Sequence, residues 1–124
     1  MPCTTTYTYS SANPRIQTKI LGKGTYNIMV QGGAGGIGHW NACGCCTHSG
    51  GQGATEQAAF YLATPTTVSF VVGGDGLRGN CAGGGGGASV VWIGSYTNPL
   101  IEAGGGGGGG WTGIGGCATP LHRE

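Results

Sequence analysis

Gly83-Gly84-Gly85-Gly86-Gly87-Ala88-Ser89-Val90-Val91, and Pro99-Leu100-Ile101-Glu102-Ala103 running into Gly104 through Gly110, decide the fold of this chain. In both, a run of pure glycine adjoins a short run of residues suited to a half-buried pleated surface. Ordering a glycine costs more backbone entropy than ordering any other residue, so a fold that orders such runs must recover the loss through dense contact. An extended left-handed helix with three residues per turn makes no internal hydrogen bonds and points its peptide groups outward on all sides. Several such helices laid side by side exchange N–H···O bonds, supplemented by weak Cα–H···O contacts, and approach as closely as sheet strands do. At a rise of about 3.1 Å per residue, seven glycines span about 22 Å, the length of a typical strand. The expectation is a bundle of polyglycine helices beside or continuing a β-sandwich.

Working outward, further glycine blocks occupy 32–38 and 50–53, each again between two strand candidates. Residues 5–10, 24–31, 66–72 and 88–93 carry the β-branched, aromatic and alternating composition of strands. Within 24–31, Tyr26, Ile28 and Val30 share one face and Thr25, Asn27 and Met29 the other. Residues 15–21 and 100–103 are weaker candidates, and Pro65, Asn98 and Pro99 punctuate the runs as turns would. Residues 54–63 contain good helix formers. They are read as a strand, because a lone ten-residue helix among β segments is marginal. The predicted fold is all-β, a small jelly-roll-like β-sandwich with packed polyglycine II helices, forming a single glycine-rich domain over residues 1–124.

Composition excludes several classes. The 31 glycines fall in clumps, without the strict third-residue period of collagen. Disordered chains are charged and poor in aromatics, whereas this one has few charges and ten aromatic rings. A formal net charge of +1 and the lack of a basic run argue against nucleic acid as a partner. Near-zero charge suits a member of a permanent assembly better than a freely diffusing protein. No stretch approaches the roughly 18 apolar residues of a membrane span. Met1-Pro2-Cys3-Thr4 does not open like a signal peptide. A soluble protein is expected, one that reaches the outside of a cell with a particle or after trimming.

An ordered set of motifs from Tyr7 to Trp111 carries a resemblance. Tyr7-Thr8-Tyr9-Ser10 precedes Gly24-Thr25-Tyr26-Asn27-Ile28-Met29-Val30-Gln31-Gly32-Gly33-Ala34-Gly35-Gly36. Gly50-Gly51-Gln52-Gly53 and Val68-Ser69-Phe70-Val71-Val72-Gly73-Gly74-Asp75-Gly76 follow, then the two stretches quoted first. This order resembles the glycine-rich domain family found in the extracellular part of anaplastic lymphoma kinase and leukocyte tyrosine kinase, in phage tail-fibre tips and in large-virus surface proteins. The resemblance implies a β-sandwich with polyglycine helices, residues 68–76 as a central hairpin with its turn, and a role in recognition or architecture without catalysis. The cysteine-bearing stretch 39–48 departs from the family pattern, as does Thr64-Pro65-Thr66-Thr67 where a Pro-Gly pair is usual. With no kinase domain or membrane span in the sequence, the viral branch is the closer one.

The individual motifs are weighed next. Gly33-Ala34-Gly35-Gly36-Ile37-Gly38 spells G-x-G-x-x-G after a strand, yet the following His39-Trp40-Asn41-Ala42 is a poor helix start for holding a pyrophosphate. Gly22-Lys23-Gly24 lacks the earlier glycine of a phosphate-binding P-loop. Cys3, Cys43, Cys45, Cys46, Cys81 and Cys117 are dense for this length and suit disulfides, with buried thiols and a zinc site as alternatives. Cys43-x-x-Cys46, His48 and nearby His39 are the only cluster of metal-ligand types, and a second paired motif is missing. His122 reads as an exposed tail residue, Glu102 as a solvent-facing edge position or a buried polar partner, and Asp75 as a turn residue. Trp40, Trp92 and Trp111 suit packing against glycine, or stacking on glycans and neighbouring subunits. No nucleophile, base and orienting group fall together.

These readings predict no catalytic, cofactor-binding or metal residue. They point to a virion structural protein, a capsid decoration (cement) protein or fibre-tip module at the virion surface or outside the cell. Its expected partners are itself, as a homotrimer, and a major capsid or tail protein. The alternative is an adhesin or ectodomain module that binds a receptor or a cell-surface glycan.

Overall fold

Residues 4–10, 15–39, 48–80, 82–95, 97–110 and 120–122 are described by the computed structural model of the chain. Among them there is no helix, and nine strands form in chain order. They are β1 (Gln17–Leu21), β2 (Gly24–Gln31), β3 (Gly38–His39), β4 (Thr55–Leu62), β5 (Thr66–Val71), β6 (Gly79–Asn80), β7 (Ser89–Trp92), β8 (Pro99–Ala103) and β9 (Pro120–His122). A five-stranded antiparallel sheet runs β1-β5-β7-β8-β9, and β2 pairs antiparallel with β4 in a two-stranded sheet. β3 and β6 are a short parallel pair.

The two main sheets face each other, β2 over β7 and β8, β4 over β8 and β9. Period-two alternation decides which side chains enter the space between them. From β2 and β4 come Val30 and Phe60, with Ile28 and Ala58 partly buried; from the long sheet come Val68, Phe70, Val91, Ile101 and Ala103. Ile101 and Ala103 are almost wholly buried, so β8 runs along the centre of the core. Residues 54–63 resolve as expected into strand, with Thr55, Gln57, Ala59 and Tyr61 outward and Glu56, Ala58, Phe60 and Leu62 inward.

Beyond the sandwich the strands continue as five extended rods at residues 32–38, 48–54, 72–79, 82–88 and 104–110, numbered rod 1 to rod 5. Rod 1 continues β2 and rod 2 leads into β4. Rod 3 continues β5, rod 4 leads into β7 and rod 5 continues β8. Their hydrogen bonds step by three residues, the repeat of a threefold extended helix. Gly32, Gly35 and Gly38 of rod 1 donate to carbonyls of Ala54, Gly51 and His48 in rod 2 at 2.8–2.9 Å. Gly33 and Gly36 donate to Gly87 and Gly84 of rod 4. The carbonyls of Ala34 and Ile37 accept from Gly76 and Gly79 of rod 3, those of Gly33 and Gly36 from Gly106 and Gly109 of rod 5. Rod 1 is therefore the axis of the bundle, and rods 2, 5, 4 and 3 are joined in that order around it.

Side chains hold stacked sheets about 10 Å apart. Where the side chains stop, the layers close to hydrogen-bond distance: rods 1 and 2 from the short sheet bond directly to rods 3, 4 and 5 from the long one. Most rod glycines are required by this approach. A Cβ on Gly33, Gly35, Gly36, Gly86 or Gly106 would lie under 3.0 Å from the backbone of the neighbouring rod. Ser89, 3 % exposed, sits where sandwich becomes bundle. Its Oγ donates to the Gln31 carbonyl at 2.6 Å and accepts from the Gly73 N–H at 3.0 Å, tying the short sheet to the long one.

Several expectations are corrected. Residues 5–10 form no strand; residues 5–9 lie exposed and Ser10 is half-buried, with the Tyr7 ring tilted against Phe70 at a centroid distance of 4.6 Å. Residues 73–76 belong to rod 3 and make no hairpin turn, because Gly74 and Gly76 are bonded into the bundle. His122 lies in β9, in register with Ile101, rather than in a free tail. Glu102 occupies an interior strand of the long sheet, flanked by β7 and β9, and so is no edge residue.

Candidate functional site

Backbone chemistry dominates the bundle, and among the described residues three places stand out where the chain meets its surroundings. The first is the far end of the rods. Rods 1, 3 and 5 run outward from the sandwich and rods 2 and 4 run back, so the chain leaves the described residues after His39, after Asn80 and after Gly110 at one end. Gly38 exchanges both hydrogen bonds with His48, and Gly83 donates to Gly109, so these exits are held close together.

The second is a cleft of about 410 Å³ on the flank of rods 3 and 4, lined by Tyr9, Arg15, Gly74, Asp75, Leu77, Gly85 and Gly87. The Arg15 guanidinium lies over the Tyr9 ring at 5.5 Å, a cation–π arrangement, while Tyr9 packs on Gly74 where a Cβ would collide with the ring. Asp75 is no turn residue: its Oδ1 accepts the Ala34 N–H at 2.9 Å, supplying rod 1 with an acceptor that the main chain of rod 3 does not offer there. Leu77 is 81 % exposed at the rim. The cleft thus combines an aromatic ring, a cation, a carboxylate, an apolar side chain and glycine backbone.

The third is a depression of about 400 Å³ on the outer face of the long sheet, lined by Ile16, Val71, Val90, Trp92 and Glu102. Trp92 is buried beside the irregularity between Val91 and Trp92 in β7, so the ring forms the wall of the depression and is not displayed.

The remaining sequence candidates fall as follows. The N–H groups of Gly33, Gly35, Gly36 and Gly38 all donate to neighbouring rods, so the G-x-G-x-x-G stretch is built into the bundle axis instead of cradling a phosphate. Cys3, Cys43, Cys45, Cys46, Cys81, Cys117, Trp40 and Trp111 lie outside the described residues. His39 contributes its backbone to β3, and His48 is half-buried with its main chain paired to Gly38. Among the described residues no three His, Cys, Asp or Glu side chains gather as metal ligands.

Sequence reasoning missed rod 3, Ser89 and the Tyr9–Arg15–Asp75 cleft. A signal for the rods existed in the spacing of the residues that interrupt glycine: Ala34 and Ile37, Ser49 and Gln52, and Val72, Asp75 and Arg78 each recur at three. No signal of that kind announces Ser89 or brings Tyr9 and Arg15 to Asp75. No protein-family model, curated protein or solved structure matches this chain.

Proposed function

We propose that this chain is a non-enzymatic structural module of a virus particle, a capsid decoration protein or fibre-tip module that works as a homotrimer beside a major capsid or tail protein at the virion surface. The observation that carries the reading is the commitment of rod N–H groups to neighbouring rods with a three-residue period. A bundle bonded this way resists bending and holds its chain exits in fixed relation, which is what a clamp or a presenting tip requires. Gold-labelled antibody against the chain, viewed on intact particles, tests the reading: label on the capsid or fibre tip is expected, and particles that never carry the chain overturn it.

A second reading, a glycan-binding adhesin module, is favoured by the cleft of Tyr9, Arg15, Asp75 and Leu77, whose mixed polar and aromatic lining suits a sugar ring. Binding on a glycan array that is lost in Asp75→Ala and Tyr9→Ala is its expected outcome. An array without binding removes it.

A further inference from the structure

The four outer edges of the two main sheets are not equally defended. A sheet edge presents unpaired N–H and C=O groups and is commonly blunted by charge or proline. β1 carries the exposed Lys19, and β9 begins with Pro120. On β4 the Gln57 N–H donates to Glu56 Oε1 at 2.9 Å, so a carboxylate covers that edge. β2, Gly24-Thr25-Tyr26-Asn27-Ile28-Met29-Val30-Gln31, has neither a charge nor a proline over eight residues.

The direction of its free groups follows from the ladder. Gly32 N–H donates to the Ala54 carbonyl, and Gln31, one residue earlier, turns its carbonyl to Ser89 on the other side. Alternation in an antiparallel pair then points the main-chain groups of Thr25, Asn27 and Met29 away from β4. Because β2 packs over β7 and β8 while β4 packs over β8 and β9, this open edge faces the β5 side. There the Gln17 Nε2, in register with Phe70, is buried without a partner.

Residues 4–10 lie in the same layer. Tyr7 rests on Phe70 and Tyr9 on Gly74, which runs the segment along β5 and rod 3. Its Thr-Tyr alternation is that of a strand, residues 4–9 are all exposed, and among the described residues no main-chain hydrogen bond reaches them. Among the described residues the chain therefore carries two sets of unmet main-chain groups, those of Thr25, Asn27 and Met29 and those of residues 4–9, which do not meet each other because the two tyrosine anchors hold the segment over β5.

We propose that the β2 edge is an assembly edge and that the strand it takes is residues 4–9 of a second copy of this chain. Each copy's segment lifts off its own β5, and a neighbour's segment takes the vacated place, adds to Thr25, Asn27 and Met29 as a third strand of the short sheet and brings acceptors over Gln17. Each copy gives one segment and receives one, reciprocally in a pair or head to tail around a closed ring. The proposal rests on the self-association in the reading above and on nothing about the particle.

Light-scattering mass of the full chain tests it. Wild type is expected at a multiple of the chain mass, falling to one chain in Met29→Lys, which sets a charge on the open edge. The same fall is expected in Thr5→Pro/Thr8→Pro, which removes a donor on each side of the segment and keeps both tyrosines. Ile20→Lys, on the outer face of the long sheet and 70 % exposed, keeps the wild-type mass. A far-ultraviolet circular dichroism spectrum matching wild type shows that the variants fold. A wild type that stays monomeric sinks both the self-association and this proposal. An oligomer that the Met29 and proline variants leave intact, or that only Met29→Lys dissolves, sinks the exchanged strand alone.

Discussion

At Gly35 and Gly94 the same residue type serves two different physical needs. Gly94, in the turn between β7 and β8, has a φ of 79° and open space around it, so glycine is there for its backbone freedom. Gly35 has no such φ; a Cβ there would run into the Gly107 backbone. Gly35→Ala is expected to destabilise the fold by about 1–3 kcal/mol or more, the usual cost of overpacking. Gly85→Ala is expected to be neutral or mildly stabilising, because its Cβ meets only the Gly106 carbonyl oxygen at 3.6 Å and alanine restricts the unfolded chain. Melting both variants by circular dichroism separates them, and equal losses would contradict the close-packed bundle. Ser89→Ala strands the Gln31 carbonyl and the Gly73 N–H at the seam between the sheets, with an expected loss of about 1–3 kcal/mol measured by urea unfolding. Nothing in the spelling of 88–92 singles out this serine, since its two partners lie 58 and 16 residues away.

At the scale of the element, a rod lacks the internal hydrogen bonds of an α-helix and is ordered only by its neighbours. That dependence has a readable consequence in rod 4. Gly83 and Gly86 donate to rod 5 and Gly84 and Gly87 to rod 3, whereas Gly85 is exposed and bonds neither. Amide exchange followed by NMR is expected to be slow at 83, 84, 86 and 87 and fast at 85. Uniformly fast exchange along residues 83–87 and 104–110 would show that the rods do not form. The strands, by contrast, were legible from local pattern. The alternation of Tyr26, Ile28 and Val30 against Thr25, Asn27 and Met29 reappears as the buried and exposed faces of β2. The same pattern in residues 5–10 misleads, because composition reports fitness for a pleated surface and says nothing about whether a partner edge is within reach.

For the molecule as a whole, the layers converge because glycine removes what keeps them apart. Rod 1 gains partners from both sheets, so the bundle acts as a spine that locks one sheet to the other. Loss of rod order and loss of the sandwich are therefore expected to be one cooperative event. Unfolding of a Trp40→Phe/Trp111→Phe variant, monitored by far-ultraviolet circular dichroism and by Trp92 fluorescence, should give coincident transitions; separate midpoints would show that bundle and sandwich melt independently.

Length, composition and periodicity by themselves determined that this chain is all-β, which residues of β2 share a face, and that its glycine blocks are packed helices rather than tethers, since those depend on side-chain alternation and on the cost of ordering glycine. Only the tertiary structure decided that residues 72–79 are a fifth rod, that Asp75 and Ser89 serve as bonding partners across the bundle, that Tyr9 and Arg15 meet Asp75 in a cleft, and that the β2 edge stands open. Each of these depends on contacts between segments far apart in the chain, and a local pattern carries no information about which distant peptide group it will face.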